Sequence, residues 1–170
     1  MSAVSPAGLT PADQAAARDV VIAYAGALDA RDWVVFEALF EPMVEIDYRS
    51  LGTTYGTFPA RTWADRCRVL GAFTATHHKV SNFTIAAEGE DRAVVGSYVD
   101  AAHFIEVEGR TLEAYVLGRY RHHLIRRGDG WRIGKCVLTV SGYPGGRASF
   151  GAAFAAARAA FSATDGSGGR

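Results

Sequence analysis

From residue 80 onward the chain is almost entirely long strands. Segments 80–88, 92–107, 111–127 and 131–141 alternate apolar and polar residues with a period of two. Only Gly89-Glu90-Asp91, Glu108-Gly109 and Gly128-Asp129-Gly130 separate them. Turns that short imply antiparallel neighbours, and strands that long curl and take bulges. A curled antiparallel sheet must bury one face, and little chain is left to cover it.

What precedes the strands supplies that cover. Thr10-Pro11-Ala12-Asp13 opens a helix, with Thr10 as cap, Pro11 in the first turn and Asp13 at the positive end of the dipole. The helix runs to about residue 29, and Ala17, Val21, Tyr24, Ala25 and Leu28 form its apolar stripe. A second, short helix is expected over 32–40, stopped near Pro42. A strand follows over 44–50, with Val44, Ile46 and Tyr48 inward, then a loop over 51–58. A third helix runs from Pro59 to about Phe73. After the last strand, Tyr143-Pro144-Gly145-Gly146 breaks the sheet. A final helix over about 148–162 carries Phe150, Phe154 and Phe161, and 164–170 reads as a frayed tail. The expectation is one domain over 1–170, an α+β cone whose helices cover the concave face of the sheet and leave a cavity at the wide end.

Composition excludes several classes. Eighteen Lys and Arg balance eighteen Asp and Glu, so no general attraction to nucleic acid or a membrane surface is expected. Cys67 and Cys136 fall on different elements without CxxC spacing, which argues against a disulfide framework or a zinc site. His77-His78 with distant acids is a poor metal signature, and no P-loop, GxGxxG or GxSxG motif is present. No metal or cofactor is expected. The first residues carry neither a basic region nor an apolar run, so the expected location is the cytoplasm.

The residues able to do chemistry are few. His103 shares a strand face with Val95, Val99, Ala101 and Ile105, so it looks into the cone, either as a satisfied core histidine or as an acid/base group. Asp29 ends the first helix, where the dipole opposes a carboxylate, and it continues the buried stripe. Unless it caps a turn in solvent it needs a partner, and a histidine suits it. Tyr48 faces inward by alternation, as a core tyrosine or as a hydroxyl that polarises a carbonyl. Of His77 and His78 at most one faces the cavity. On 111–127 the more apolar face is Leu112, Ala114, Val116, Gly118, Tyr120, His122 and Leu124, which makes Tyr120 and His122 cavity candidates. Arg119, Arg121 and His123 take the other face unless a bulge swaps them. Tyr98, Phe104, Tyr115 and Leu117 lie on the outer face of the sheet, an apolar set that predicts a homodimer or homotrimer.

Asp29-Ala30-Arg31-Asp32-Trp33, Ile46-Asp47-Tyr48-Arg49-Ser50, Thr76-His77-His78 and the later His103 together resemble scytalone dehydratase, of the wider NTF2-like, SnoaL-like superfamily. The likeness covers about residues 16–140. It implies an NTF2-like cone whose Asp29, Tyr48, His78 and His103 are catalytic, removing a proton next to a ketone and expelling water. It also implies a C-terminal segment over the mouth of the cavity. Tyr24, Tyr120, Arg121 and Phe154 are the expected substrate contacts. Two departures argue against scytalone itself as the substrate: Leu28 stands where the family has a tyrosine, and Arg121 falls near the family's asparagine. The activity this implies is a cofactor-independent dehydratase or isomerase of a hydrophobic cyclic ketone. The alternatives are a SnoaL-type polyketide cyclase and a non-catalytic binding or assembly subunit.

Overall fold

The computed structural model describes residues 8–128 and 130–165. Helix α1 (Pro11–Ala30) begins with a reciprocal capping box: the Thr10 hydroxyl accepts the Asp13 amide at 3.1 Å, and the Asp13 carboxylate accepts the Thr10 amide at 3.1 Å. Ala17, Val21, Tyr24, Ala25 and Leu28 are its buried stripe. Arg31 ends it with φ 57°, a left-handed cap whose amide reaches back to the last turn. Asp29 is thereby held in that last turn.

Helix α2 (Trp33–Ala38) is shorter than the expected 32–40, and Pro42 does not stop it. Pro42 lies inside strand β1 (Phe40–Asp47), which begins four residues before the expected 44. β1 runs parallel to β6 (Gly130–Gly142), pairing at Phe40 with Ile133 and then, after a register shift, from Glu45 with Lys135. Proline falls in that gap, where no ladder bond to β6 is lost. The expected loop over 51–58 is a second departure. It becomes a 3₁₀ turn at Arg49–Leu51 and an edge strand, β2 (Tyr55–Pro59), antiparallel to β1. Glycines and threonines weaken the strand signal of this segment, and an edge strand needs only one set of ladder bonds. Helix α3 (Ala60–Cys67) then tightens into a 3₁₀ stretch, Arg68–Ala72.

Strands β3 (Ala75–Ala87), β4 (Arg92–Val107), β5 (Arg110–Arg127) and β6 pair antiparallel in sequence order. β3 starts five residues earlier than expected and so takes in His77 and His78. It bulges near Asn82, which adopts φ 51° where the register slips between Ser81 and Thr84. The sheet order is β2-β1-β6-β5-β4-β3, curved and unclosed, the expected α+β cone. Val95, Val99 and Ile105 of β4, Ala114, Val116 and Leu124 of β5, and Ile133 and Leu138 of β6 are buried on its inner face. α1 packs against β3, and the final helix, α4 (Arg147–Asp165), packs against β4 and β5. Of the tail expected over 164–170, residues 166–170 lie outside the described residues, as does Asp129 of the expected 128–130 turn. No helix among the described residues is long and apolar enough to cross a membrane.

Candidate active site

The concave face holds a cavity of about 490 Å³ lined mainly by apolar and aromatic side chains, with His78, His103, Tyr24, Tyr48 and Tyr120 among them. That size and lining suit a small apolar ligand. The two histidines come from adjacent strands. Thr76 pairs with His103 and His78 with Ala101, so the imidazoles are diagonal neighbours with ring centroids 5.1 Å apart at 89°.

Asp29 reaches His78 from the end of α1. His78 Nδ1 lies 2.7 Å from Asp29 Oδ1, the His78 amide donates to Oδ2 at 2.8 Å, and the Thr76 hydroxyl donates to Oδ1 at 2.9 Å. Three donors compensate a carboxylate that the helix dipole opposes. Burial raises the Asp29 carboxyl, but the hydrogen bonds and charge of His78, with Thr76, outweigh it and hold the group at about 2. Asp29 is thus ionised at neutral pH, and an ionised carboxylate can only accept. His78 Nδ1 therefore carries its hydrogen, and Nε2 is the atom left for chemistry.

His103 is fixed differently. Its Nδ1 lies 3.1 Å from the Ala114 carbonyl oxygen, which can only accept, so here too Nε2 is the free nitrogen. Phe73, Phe150 and Phe154 surround the ring, with centroids at 5.2, 6.4 and 5.0 Å. Burial, reinforced by the neighbouring His78, lowers its pKa to about 4, so it stays neutral at pH 7. The two imidazoles are neighbours and differ in setting: one is hydrogen-bonded to a carboxylate, and the other is kept uncharged by its apolar box.

On the same lining the Tyr24 and Tyr48 hydroxyls are 2.6 Å apart. Burial raises both phenols well above their ordinary range, so both keep their protons. Of the four residues named as substrate contacts, Tyr24, Tyr120 and Phe154 lie on the cavity lining. Arg121 does not. It is exposed on the opposite face of β5, because no bulge intervenes between it and Tyr120, and alternation turns its side chain outward. His122 is fully buried yet sits behind the lining, against Tyr24 and Tyr120. His77 is exposed. Sequence reasoning missed Thr76, although its position two residues before His78 puts it on the same strand face. It also missed Cys136, a buried free thiol beside Tyr48. Among the described residues no three His, Cys, Asp or Glu side chains cluster as metal ligands would.

The family model for the SnoaL-like domain matches residues 10–137. An uncharacterized protein of Mycobacterium tuberculosis is 29% identical over 129 residues, spanning 75% of this chain and 84% of that protein. Among solved structures, the Kfla4162 protein of Kribbella flavida superposes with a TM-score of 0.73 at 25% identity, over 86% of this chain and 97% of that one. A Novosphingobium aromaticivorans protein with a proposed scytalone dehydratase assignment gives 0.67 at 21% identity, over 78% and 87%. The LinA-type3 hexachlorocyclohexane dehydrochlorinase of Novosphingobium barchaimii gives 0.66 at 18% identity, over 78% and 89%. These last two share the fold with this chain.

Proposed function

The chain belongs to the SnoaL-like domain family, and we propose that it is a cofactor-independent acid/base enzyme, a dehydratase or isomerase of a cyclic, largely apolar ketone of polyketide or steroid kind. The observation that carries this reading is the Asp29–His78 pair, a carboxylate 2.7 Å from an imidazole on the wall of an apolar cavity. Such a pair suits proton abstraction, because the carboxylate fixes the imidazole tautomer, leaves Nε2 free and faces the charge that develops on the ring.

In this mechanism His78 Nε2 removes the proton next to the ketone, and the C–H electrons pass into an enolate. A hydrogen bond from the Tyr48–Tyr24 phenol pair, whose second O–H is spent between the two rings, stabilises the enolate oxygen. In a dehydratase the enolate re-forms the ketone and expels the β-hydroxyl, which takes the proton from His78 and leaves as water. In an isomerase the proton returns at another carbon. His103, neutral and with Nε2 free, accepts a hydrogen bond from the substrate hydroxyl and aligns it. Either course leaves every group as it began.

The test is to incubate the protein with a panel of cyclic β-hydroxyketones and follow enone absorbance, with His78→Gln and Asp29→Asn beside the wild type. The expected result is turnover that falls by about 10²–10⁴-fold in His78→Gln. Saturable binding with no turnover of any member would overturn the reading in favour of a non-catalytic binding subunit.

A further inference from the structure

Behind the cavity wall lies a line of buried polar groups that the mechanism above leaves unused. His122 Nε2 is 3.2 Å from Cys136 Sγ, Cys136 Sγ is 3.3 Å from the Tyr48 hydroxyl, and that hydroxyl is 2.6 Å from the Tyr24 hydroxyl. The Tyr120 hydroxyl also interacts with both of the other phenols. The three tyrosines line the cavity, whereas His122 and Cys136 do not. Both of these are fully buried, and His122 Nδ1 has no hydrogen-bond partner among the described residues.

Every member of this line carries its protons at neutral pH. Burial, with neighbouring His123 adding to it, lowers His122 to about 3, so the imidazole is neutral with one N–H. Burial pushes the Cys136 thiol up to about 12 and keeps it as S–H. One choice then orders the line. If His122 held its hydrogen on Nδ1, a buried N–H would be orphaned and Nε2 would accept from the Cys136 S–H. The sulfur could then only accept from Tyr48, and Tyr24 would donate to Tyr48. Both phenol protons would point away from the cavity, which would be met by lone pairs. If His122 holds its hydrogen on Nε2, the directions reverse. Nε2–H donates to sulfur, S–H donates to the Tyr48 oxygen, and the Tyr48 O–H is freed from the sulfur, so that the three phenols, which share one cavity lining, have an O–H to offer a ligand there. An unpaired buried N–H is rarer in folded proteins than an under-used acceptor, which selects the second arrangement.

We infer that His122 and Cys136 are positioning residues that turn the Tyr48–Tyr24 end of the cavity into a hydrogen-bond donor, so that the site selects ligands carrying an acceptor oxygen there, a ketone or its enolate. The inference rests on the proposed function only for what that oxygen becomes. The preference itself belongs to the resting protein and needs no turnover.

Two measurements test it. Nitrogen-15 spectra of the free protein, with the His122 signals assigned by their loss in His122→Gln, report the tautomer directly. The expected result is a proton on Nε2, and a proton on Nδ1 overturns the inference whatever the activity. The second is calorimetric binding of α-tetralone against tetralin, the same bicycle without the carbonyl. The wild type is expected to favour the ketone by about tenfold, as one satisfied hydrogen bond provides. His122→Phe fills the same space without an N–H, leaves the Cys136 sulfur free to accept from the Tyr48 hydroxyl, and should lower that preference. His122→Gln, which presents an amide N–H in place of Nε2–H, should restore it. Equal preference in wild type and His122→Phe overturns the inference. Should the ketone preference hold while no hydroxyketone is turned over, the enzymatic reading fails and this one stands.

Discussion

His78 and His103 differ in what their Nδ1 atoms touch, a carboxylate against a backbone carbonyl, and burial sets the pH behaviour of His103. His103 is held at about 4 by burial against an ordinary value of 6.5, and His122 at about 3. Between pH 6.5 and 4 the unfolded chain binds protons at both positions and the folded chain does not. Stability is therefore fully present above 6.5 and falls as the pH drops toward 4. Asp29 acts in a lower window: its folded value of about 2 lies below the ordinary 3.8, so its contribution is present above 3.8 and lost as the pH falls toward 2. Urea midpoints across pH 7 to 2 should show both steps. His103→Gln should shrink the first and Asp29→Asn the second, and an unchanged first step in His103→Gln would contradict the assigned burial effect. In turnover, Tyr48→Phe should cost about 10–10²-fold with the fold intact by circular dichroism, since only a hydroxyl is lost. At this scale the sequence was informative where two local rules met. Asp29 sat at once on a buried stripe and at a dipole-opposed helix end, which called for a partner. Between His77 and His78 neither rule chooses, because the local alternation starts only at Val80, five residues after β3 begins. Arg121 was drawn toward the cavity by family likeness against the alternation of its own strand, and alternation prevailed.

Among the elements, α4 bears most directly on the site. It stacks Phe150 on Phe154 at 4.6 Å and sets both rings near His103. Its apolar cover is the physical cause of the low His103 pKa, so Phe154→Ala should let water reach the imidazole and move that pKa upward toward 6.5, followed through the ring proton by NMR titration. The same variant should raise KM more than it lowers kcat, because it removes binding surface from ground and transition states alike. A His103 titration unmoved in Phe154→Ala would show that α4 does not control its hydration. The long strands β4 and β5 were legible almost to the residue, since fifteen or more alternating positions leave no competing period. β1 and β2 were not. Pro42 reads as a helix stop until the gap in the β1–β6 ladder is known, and two glycines in 52–56 obscure the edge strand beside it. Both are facts of tertiary pairing, absent from the local pattern.

Taken whole, the molecule is a sheet closed on its inner face and bare on part of its outer one. Tyr98 and Leu117 are exposed there, beside the Phe104–Tyr115 ring pair at 5.8 Å. An apolar set of this kind predicts self-association. Light scattering at micromolar concentration should give the mass of a dimer or trimer, and Tyr98→Lys with Leu117→Lys should shift it toward the monomer, whereas a monomeric wild type would contradict the prediction. The cone could be read from the order of helices and strands. The parallel β1–β6 contact that makes the sheet mixed could not, because nothing local records which distant strand a first strand will join. In the proposed mechanism Asp29 makes His78 a base toward a carbon acid lying in this cavity. Exchange of the α-protons of α-tetralone in D₂O, followed by NMR, needs no leaving group and isolates this first step. Exchange should run well above buffer and be reduced about 10²-fold or more in His78→Gln and by a similar factor in Asp29→Asn. Exchange no faster than buffer, or undiminished in His78→Gln, would contradict this mechanism.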